Sequence, residues 1–347
     1  MTTDTRETET KFYKFLQSNL SHLGYTYQLG LNIDFKPFNP SDGFYLITLE
    51  HLFQYYEYGP YLGIVSLPPD TQIYHETNRI KVDQLILEKI VTTQEDLLQI
   101  FQNIAKKYDP LTIPSYMCQI AACHGHLKIL KWAREIGCPW NINTCASAAA
   151  NGHLDVLKWA RENDCPWDES TCAAAAENGH LEVLKWAREN GCPWDKYTCE
   201  YAAQNGHLEI LKWARENGCP WNRDTCSGAA LNGHLEILKW ARENGCSWNS
   251  DTCAYAAIKG HLDVLKWARE NGCPWNSVIC RYAAQFGYLD MLKWARENGC
   301  PWDEYTCSNA AQNDHLDVLK WARENGCPWD EYTCSNVAQN GHLDVLK

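Results

Sequence analysis

Along Leu208, Leu211 and Ala214 the apolar positions recur three apart, with Ile210 and Trp213 widening the stripe and Glu209, Lys212, Arg215 and Glu216 opposite. That spacing puts one apolar face on a helix, predicted from His207 to Glu216. Just upstream, Lys196 to Gln204 contains no breaker, follows Asp195 and stops at Asn205-Gly206. Aspartate is a good N-cap and Asn-Gly a good helix stop, so a second short helix is predicted there. Asn217-Gly218 ends the later helix in the same way. Helices this short are marginal alone, and neither can bury its apolar face without neighbours.

The neighbours are copies. Gly-His-Leu stands at Gly125, Gly152, Gly179, Gly206, Gly233, Gly260 and Gly341, every step a multiple of 27. The two missing beats hold Gly287-Tyr288-Leu289 and Asp314-His315-Leu316. Lys-Trp keeps the beat from Lys131-Trp132 to Lys320-Trp321, and Cys-Pro-Trp from Cys138 to Cys327, with Ser247 once in place of proline. Residues 111–347 are therefore read as a helix–turn–helix solenoid of eight full 27-residue units from Cys118 and a half unit. The half unit stops at Lys347, before the expected tryptophan. Its end is expected to fray, or the array to be a shortened copy of a longer one.

Thr198-Cys-Glu-Tyr-Ala-Ala-Gln-Asn-Gly-His-Leu-Glu-Ile-Leu-Lys212 resembles the ankyrin repeat in its threonine, paired alanines, Gly-His-Leu-Glu and following apolar run. The units depart from that family in being shorter than its usual 33 residues, in starting Thr-Cys instead of Thr-Pro-Leu-His, and in leaving no room for a β-hairpin finger between Asn222 and Thr225. Arrays of Cys-Pro-Trp and Lys-Trp-Ala-Arg-Glu-Asn-Gly are similar to the ankyrin-repeat proteins of giant DNA viruses (mimivirus-like). The resemblance implies a protein partner, a host protein among the candidates, and an intracellular setting in the host cytoplasm, or the nucleus.

Residues 1–110 carry no repeat beat. Residues 1–10 are polar and read as disordered. Lys11–Leu16, Tyr25–Leu31, Leu62–Leu67, Ile73-Tyr74 and Leu85–Ile90 read as strands, Leu49–Tyr58 as a short helix and Asp96–Lys107 as an amphipathic one. Phe38–Gly43 is a turn cluster, and Asp109-Pro110 a break before the solenoid. Residues 11–110 thus form a small α+β leader domain. Gly30–Pro40, the aromatic strand after it and Tyr58-Gly-Pro60 are similar to the leader of the same viral proteins. Its expected use is to cap the open end of the array.

Composition removes several functions. A net charge of −12 supplies no basic stripe for a nucleic acid and disfavours anionic membranes. No apolar run reaches the roughly 20 residues of a membrane span. All 16 tryptophans and 18 cysteines fall in the repeat region. The cysteines make two ladders, Cys145 to Cys334 and Cys138 to Cys327, with six residues between the two cysteines of each junction, more than the roughly two to four intervening residues of zinc sites. They read as small core residues, the histidines as scaffold bonding backbone, and the tryptophans as core rather than a stacking platform. No catalytic residue, metal or cofactor is assigned.

Repeats keep their core and vary where they are free to make contacts. Tyr201, Tyr255 and Tyr282 share one first-helix position; Leu231, Ile258 and Phe286 stand beside them. First helices line the concave side of ankyrin-like solenoids, so these six residues are the candidate partner-binding stripe. Two alternatives stay open. One is a passive spacer. The other is an enzyme in the leader, with the solenoid selecting its substrate: Asp42-Gly43-Phe44-Tyr45 resembles the Gly-x-Tyr-Phe strand of ADP-ribosyltransferases, although the partner His or Arg motifs are absent, and a pocket near Phe44 and Tyr45 is what that reading requires.

Overall fold

The computed structural model describes residues 11–34, 43–107 and 113–339. The start expected to be disordered, most of the expected Phe38–Gly43 turn, the expected Asp109-Pro110 break and the end expected to fray, at 340–347, lie outside them. The chain divides into two compact units, residues 1–167 and 168–347.

The first unit begins with nine strands: β1 (Phe12–Leu16), β2 (Ser21–His22), β3 (Tyr25–Thr26), β4 (Gly30–Ile33), β5 (Phe44–Leu46), β6 (Tyr61–Ser66), β7 (Ile73–His75), β8 (Ile80–Val82) and β9 (Gln84–Val91). They form an antiparallel sheet in the order β1-β6-β9-β4, a second in the order β5-β8-β7, and the β2–β3 hairpin. Leu16, Tyr27, Leu46, Val65, Val82, Leu85 and Leu87 pack into one core. The strand expected over Tyr25–Leu31 is two strands. Leu23 and Gly24 adopt positive φ, turning β3 back onto β2, and Gly30 at φ +92° redirects the chain again. The Asn32 side chain clamps this second bend. It accepts from the Gln28 N–H at 3.0 Å and donates to the Gln28 and Gly30 carbonyls at 2.7 and 2.9 Å.

A 3₁₀ helix, Leu49–Tyr58, and helix α1, Gln94–Lys107, follow the expected positions. Their buried faces, with Phe53, Tyr56 and Phe101, receive the first repeat pair, α2 (Met117–Cys123) and α3 (Leu127–Glu135). Phe53 and Phe101 lie 5.1 Å apart and close over Trp132 at 6.3 and 6.4 Å. The Tyr56 hydroxyl bonds His126 Nδ1 at 2.5 Å, His124 Nε2 donates to the Tyr56 carbonyl at 3.0 Å, and the Lys128 N–H donates to Gln94 at 2.9 Å. The leader covers the opening pair with aromatic rings and hydrogen bonds. Burial, reinforced by His124 and His153, pushes the His126 imidazole down to about 4.

From Asn141 to Gln339 helices alternate in pairs, and no strand follows α1 among the described residues. Lys196–Gln204 and Leu208–Glu216 are typical. Asp195 caps the first by accepting from the Tyr197 N–H at 3.0 Å. Cys199, Ala202 and Ala203 are fully buried, as are Leu211 and Ala214, with Ile210 nearly so. The small side chains let successive first helices approach. Each large one contributes about 1.5–3 kcal/mol of burial.

The Gly-His motif is an interlock between units. Gly206 ends its helix at φ +84°, a conformation that favours glycine. A Cβ there would stand 2.9 Å from the His234 ring of the next unit. His234 Nε2 donates to the Gln204 carbonyl at 3.1 Å, and His207 repeats the bond to the Glu177 carbonyl at 3.0 Å. Tyr288 occupies the same place over Gly260, which is why it replaces histidine without breaking the beat. The connector cysteines are interlocked too: the Cys219 and Cys246 thiols point at the Asp195 and Asn222 carbonyls at 3.3 and 3.2 Å.

Candidate binding surface

The repeat scaffold fixes which side chains are free. In Lys196–Gln204, the Thr198, Cys199, Ala202 and Ala203 side chains face neighbours, so Tyr201 is left half-exposed. The same arithmetic leaves Leu231, Ile258 and Tyr282 half-buried and Tyr255 and Phe286 each 40% exposed. All six belong to the second unit. Tyr282, Phe286 and Tyr288 form a connected ring cluster, with centroids 6.4 and 6.1 Å apart. Tyr201 stacks instead on Tyr197 of its own helix at 5.8 Å.

The position between Tyr201 and Tyr255 belongs to Gly228, which is buried and carries no side chain. A Cβ there would press on Gln204 at 3.3 Å, so the first helices approach closely at this point. The aromatic stripe is therefore interrupted: Tyr197 and Tyr201 make one patch; Tyr255, Ile258, Tyr282 and Phe286 make another, with Leu231 between. The first patch is bordered by acids. Burial, then Glu200 and Glu177, raise the Tyr201 hydroxyl above its ordinary value, and burial, then Asp224, raises the Glu200 carboxyl.

Reading along the sequence missed three features. Tyr197, Tyr305 and Tyr332 are 42%, 53% and 67% exposed, and the signal was their recurrence at one position just before Thr-Cys. The tryptophans are the second, and the core expectation for them is corrected. Only Trp132, under the leader rings, is buried among the described residues. The others form a half-buried flank. Trp221 meets Trp240 edge-on at 5.8 Å, and Trp194 meets Trp213 likewise. An indole is too large for the spacing that the alanines and cysteines set, so it is carried outside.

The arginines are the third. Arg215, opposite the apolar stripe of its helix, donates to the Cys219 carbonyl and lies 4.2 Å over the Trp221 ring. Cation–π stacking and the hydrogen bond keep it half-buried. The lysines pair with acids three residues earlier, as in Lys212–Glu209 at 2.9 Å. The hydrogen bond with the Cys219 thiol, and then burial, raise the Cys199 thiol, which suits a packing residue rather than a reactive one. Among the described residues, no three His, Cys, Asp or Glu side chains gather as a metal site, and no helix is long and apolar enough to cross a membrane.

In the leader, Phe44 and Tyr45 border two adjoining depressions of about 340 and 200 Å³. Tyr45 lines both and Phe44 lines the larger one, so the pocket that an enzymatic leader requires is present.

Comparison with known proteins agrees with the repeat geometry. Residues 172–215 and 253–304 match the family described as ankyrin repeats (many copies). No curated protein matches the chain. Among solved structures, the human ASB11 ankyrin repeat domain is 18% identical, over 45% of this chain and 84% of that one, with a TM-score of 0.38. The fold is an α solenoid of ankyrin-like helix–turn–helix repeats, preceded by a small α+β region.

Proposed function

We propose that this chain is a scaffold or adaptor that holds a protein partner on the first-helix face of its second unit, the face expected to be concave in ankyrin arrays. Ankyrin repeats generally mediate protein–protein contacts, and repeat proteins use extended surfaces for them. The observation that carries the reading is the pair of rings Tyr282 and Phe286 with Tyr255 and Ile258 on the neighbouring first helix, Tyr255 and Phe286 each 40% exposed and the other two half-buried. Large amphipathic rings at low entropic cost are common anchors. The acids beside Tyr201 and the net charge of −12 favour a partner that offers basic groups around an apolar patch. The resemblance to viral repeat proteins would make that partner a host protein in cytoplasm or nucleus. The leader, with residues 11–110 as its proposed extent, acts as the cap and requires no catalysis for this role.

Affinity capture from host-cell extract with the full chain, against Tyr255→Ala with Tyr282→Ala, tests it. A specific partner recovered by the first and lost by the second is expected. Equal recovery by both would discard the stripe, and recovery of nothing by either would favour a passive spacer.

A further inference from the structure

The leader buries a lysine that its fold does not need. Lys14 sits on β1 at 4% exposure and lines both depressions beside Tyr45. Its Nζ donates to the Tyr45 carbonyl at 2.8 Å and lies 5.0 Å from the Tyr27 ring centre. An ammonium has three donors, and among the described residues the Lys14 amine makes one hydrogen bond, to that carbonyl. An apolar residue of similar length would pack β1 equally well, so a buried amine asks for a reason.

The walls suggest one. The smaller depression, about 200 Å³, is lined by the rings of Tyr13, Phe15, Tyr45, Tyr55 and Tyr58, with His22 and Arg79 completing it. His22 stands edge-on to Tyr58 at 5.5 Å. Both of its ring nitrogens are buried without a hydrogen-bond partner among the described residues. The Arg79 guanidinium lies 4.1 Å over the Tyr45 ring. Glu76 pairs with Arg79 and with Lys81 at 3.3 Å, and Asp34 lines the larger depression beside Lys14. The smaller depression itself is lined by Lys14 and Arg79 and, among the described residues, by no carboxylate, in a chain whose net charge is −12. Burial and the neighbouring Arg79 bring the Lys14 amine down to about 7, so an incoming anion would relieve a real cost.

We propose that this pocket binds a small aromatic carboxylate, its ring among Tyr13, Tyr45, Tyr55 and Tyr58 and its carboxylate at Lys14 and Arg79. The pocket is apolar with a few convergent polar groups, the usual form of a small-molecule site. Its volume suits one or two fused rings, since a cavity of about 150 Å³ accepts benzene. The site is independent of the partner surface.

Calorimetric titration of the full chain with 1-naphthoate tests the assignment, with 1-naphthalenemethanol as the neutral analogue and inorganic phosphate as the bare anion. One equivalent of naphthoate should bind, about tenfold or more tighter than the alcohol, the size of one charge-assisted hydrogen bond. Lys14→Met should abolish that preference. If this variant does not fold, Arg79→Gln at the rim should still weaken naphthoate about tenfold. Equal affinity for the alcohol, no binding at millimolar naphthoate, or an affinity untouched by Arg79→Gln would overturn the proposal. Displacement of naphthoate by equimolar phosphate would overturn the aromatic part of it.

Discussion

The leader and the repeats solve the same problem in opposite ways. Each repeat buries short helices by contacts that recur in the next unit: glycine under imidazole, thiol against carbonyl, alanine against alanine. The leader is built from contacts made once, such as the Asn32 clamp, the Phe53–Phe101–Trp132 group and buried Lys14. A recurring contact can be weakened in one unit while its neighbours persist. A contact made once has no substitute. The leader should therefore unfold as a whole, and the array should loosen locally.

Truncating the cap should have the largest effect. Phe101→Ala removes the ring between Tyr56, Phe53 and Trp132 and should cost about 3–5 kcal/mol. Hydrogen exchange should accelerate together across residues 11–135. Leu211→Ala should cost about 2–4 kcal/mol, with protection lost around its own unit and recovering with distance. Uniform loss across all repeats would break the contrast.

Acid comes next. The His126 imidazole is held at about 4, and that of His22 is lowered to about 4 mainly by burial and then by Lys14 and Arg79. Both fold as neutral rings, so their contribution is complete above about pH 6.5 and is lost as the pH falls through 4. Denaturant melts of the leader should show its stability dropping across that window. A flat profile would contradict the buried junction. The Lys14 amine works at the other end: the unfolded chain binds the extra proton between about pH 7 and 10.5, so leader stability should rise there.

A cap in one repeat should matter less. Asp195→Ala removes the acceptor for the Tyr197 N–H and should cost about 1 kcal/mol, read from the denaturation midpoint. The smallest effect belongs to the stripe. Tyr255→Ala should change stability by only about 0.5 kcal/mol, because its ring is 40% exposed. A larger loss would mark it as scaffold and undercut its assignment as a contact residue.

The repeats were legible because their information is local and repeated. Helix starts at Asp195 and Asn222, stops at Gly206 and Gly218, and the buried Leu211 and Ala214 all follow from spacing and capping chemistry. The variable positions were legible too, since a fixed core identifies what is not core. Spacing could not show that Gly228 interrupts the stripe, because that depends on how closely two helices approach. Nor could it move the tryptophans from core to flank, since an amphipathic pattern does not measure the room available to an indole.

In the leader, sequence determined where apolar runs and turns fall, and little more. The order β1-β6-β9-β4 pairs distant segments, such as Phe12 with Val65, 53 residues on, and Gly30 with Leu87, 57 residues on. The meeting of Lys14, His22, Tyr45 and Arg79 likewise joins four separate elements. Periodicity reports which face of a segment is apolar, and only tertiary packing decides which distant face it meets. The array was therefore readable from its 27-residue beat, and the pocket became visible only in the folded leader.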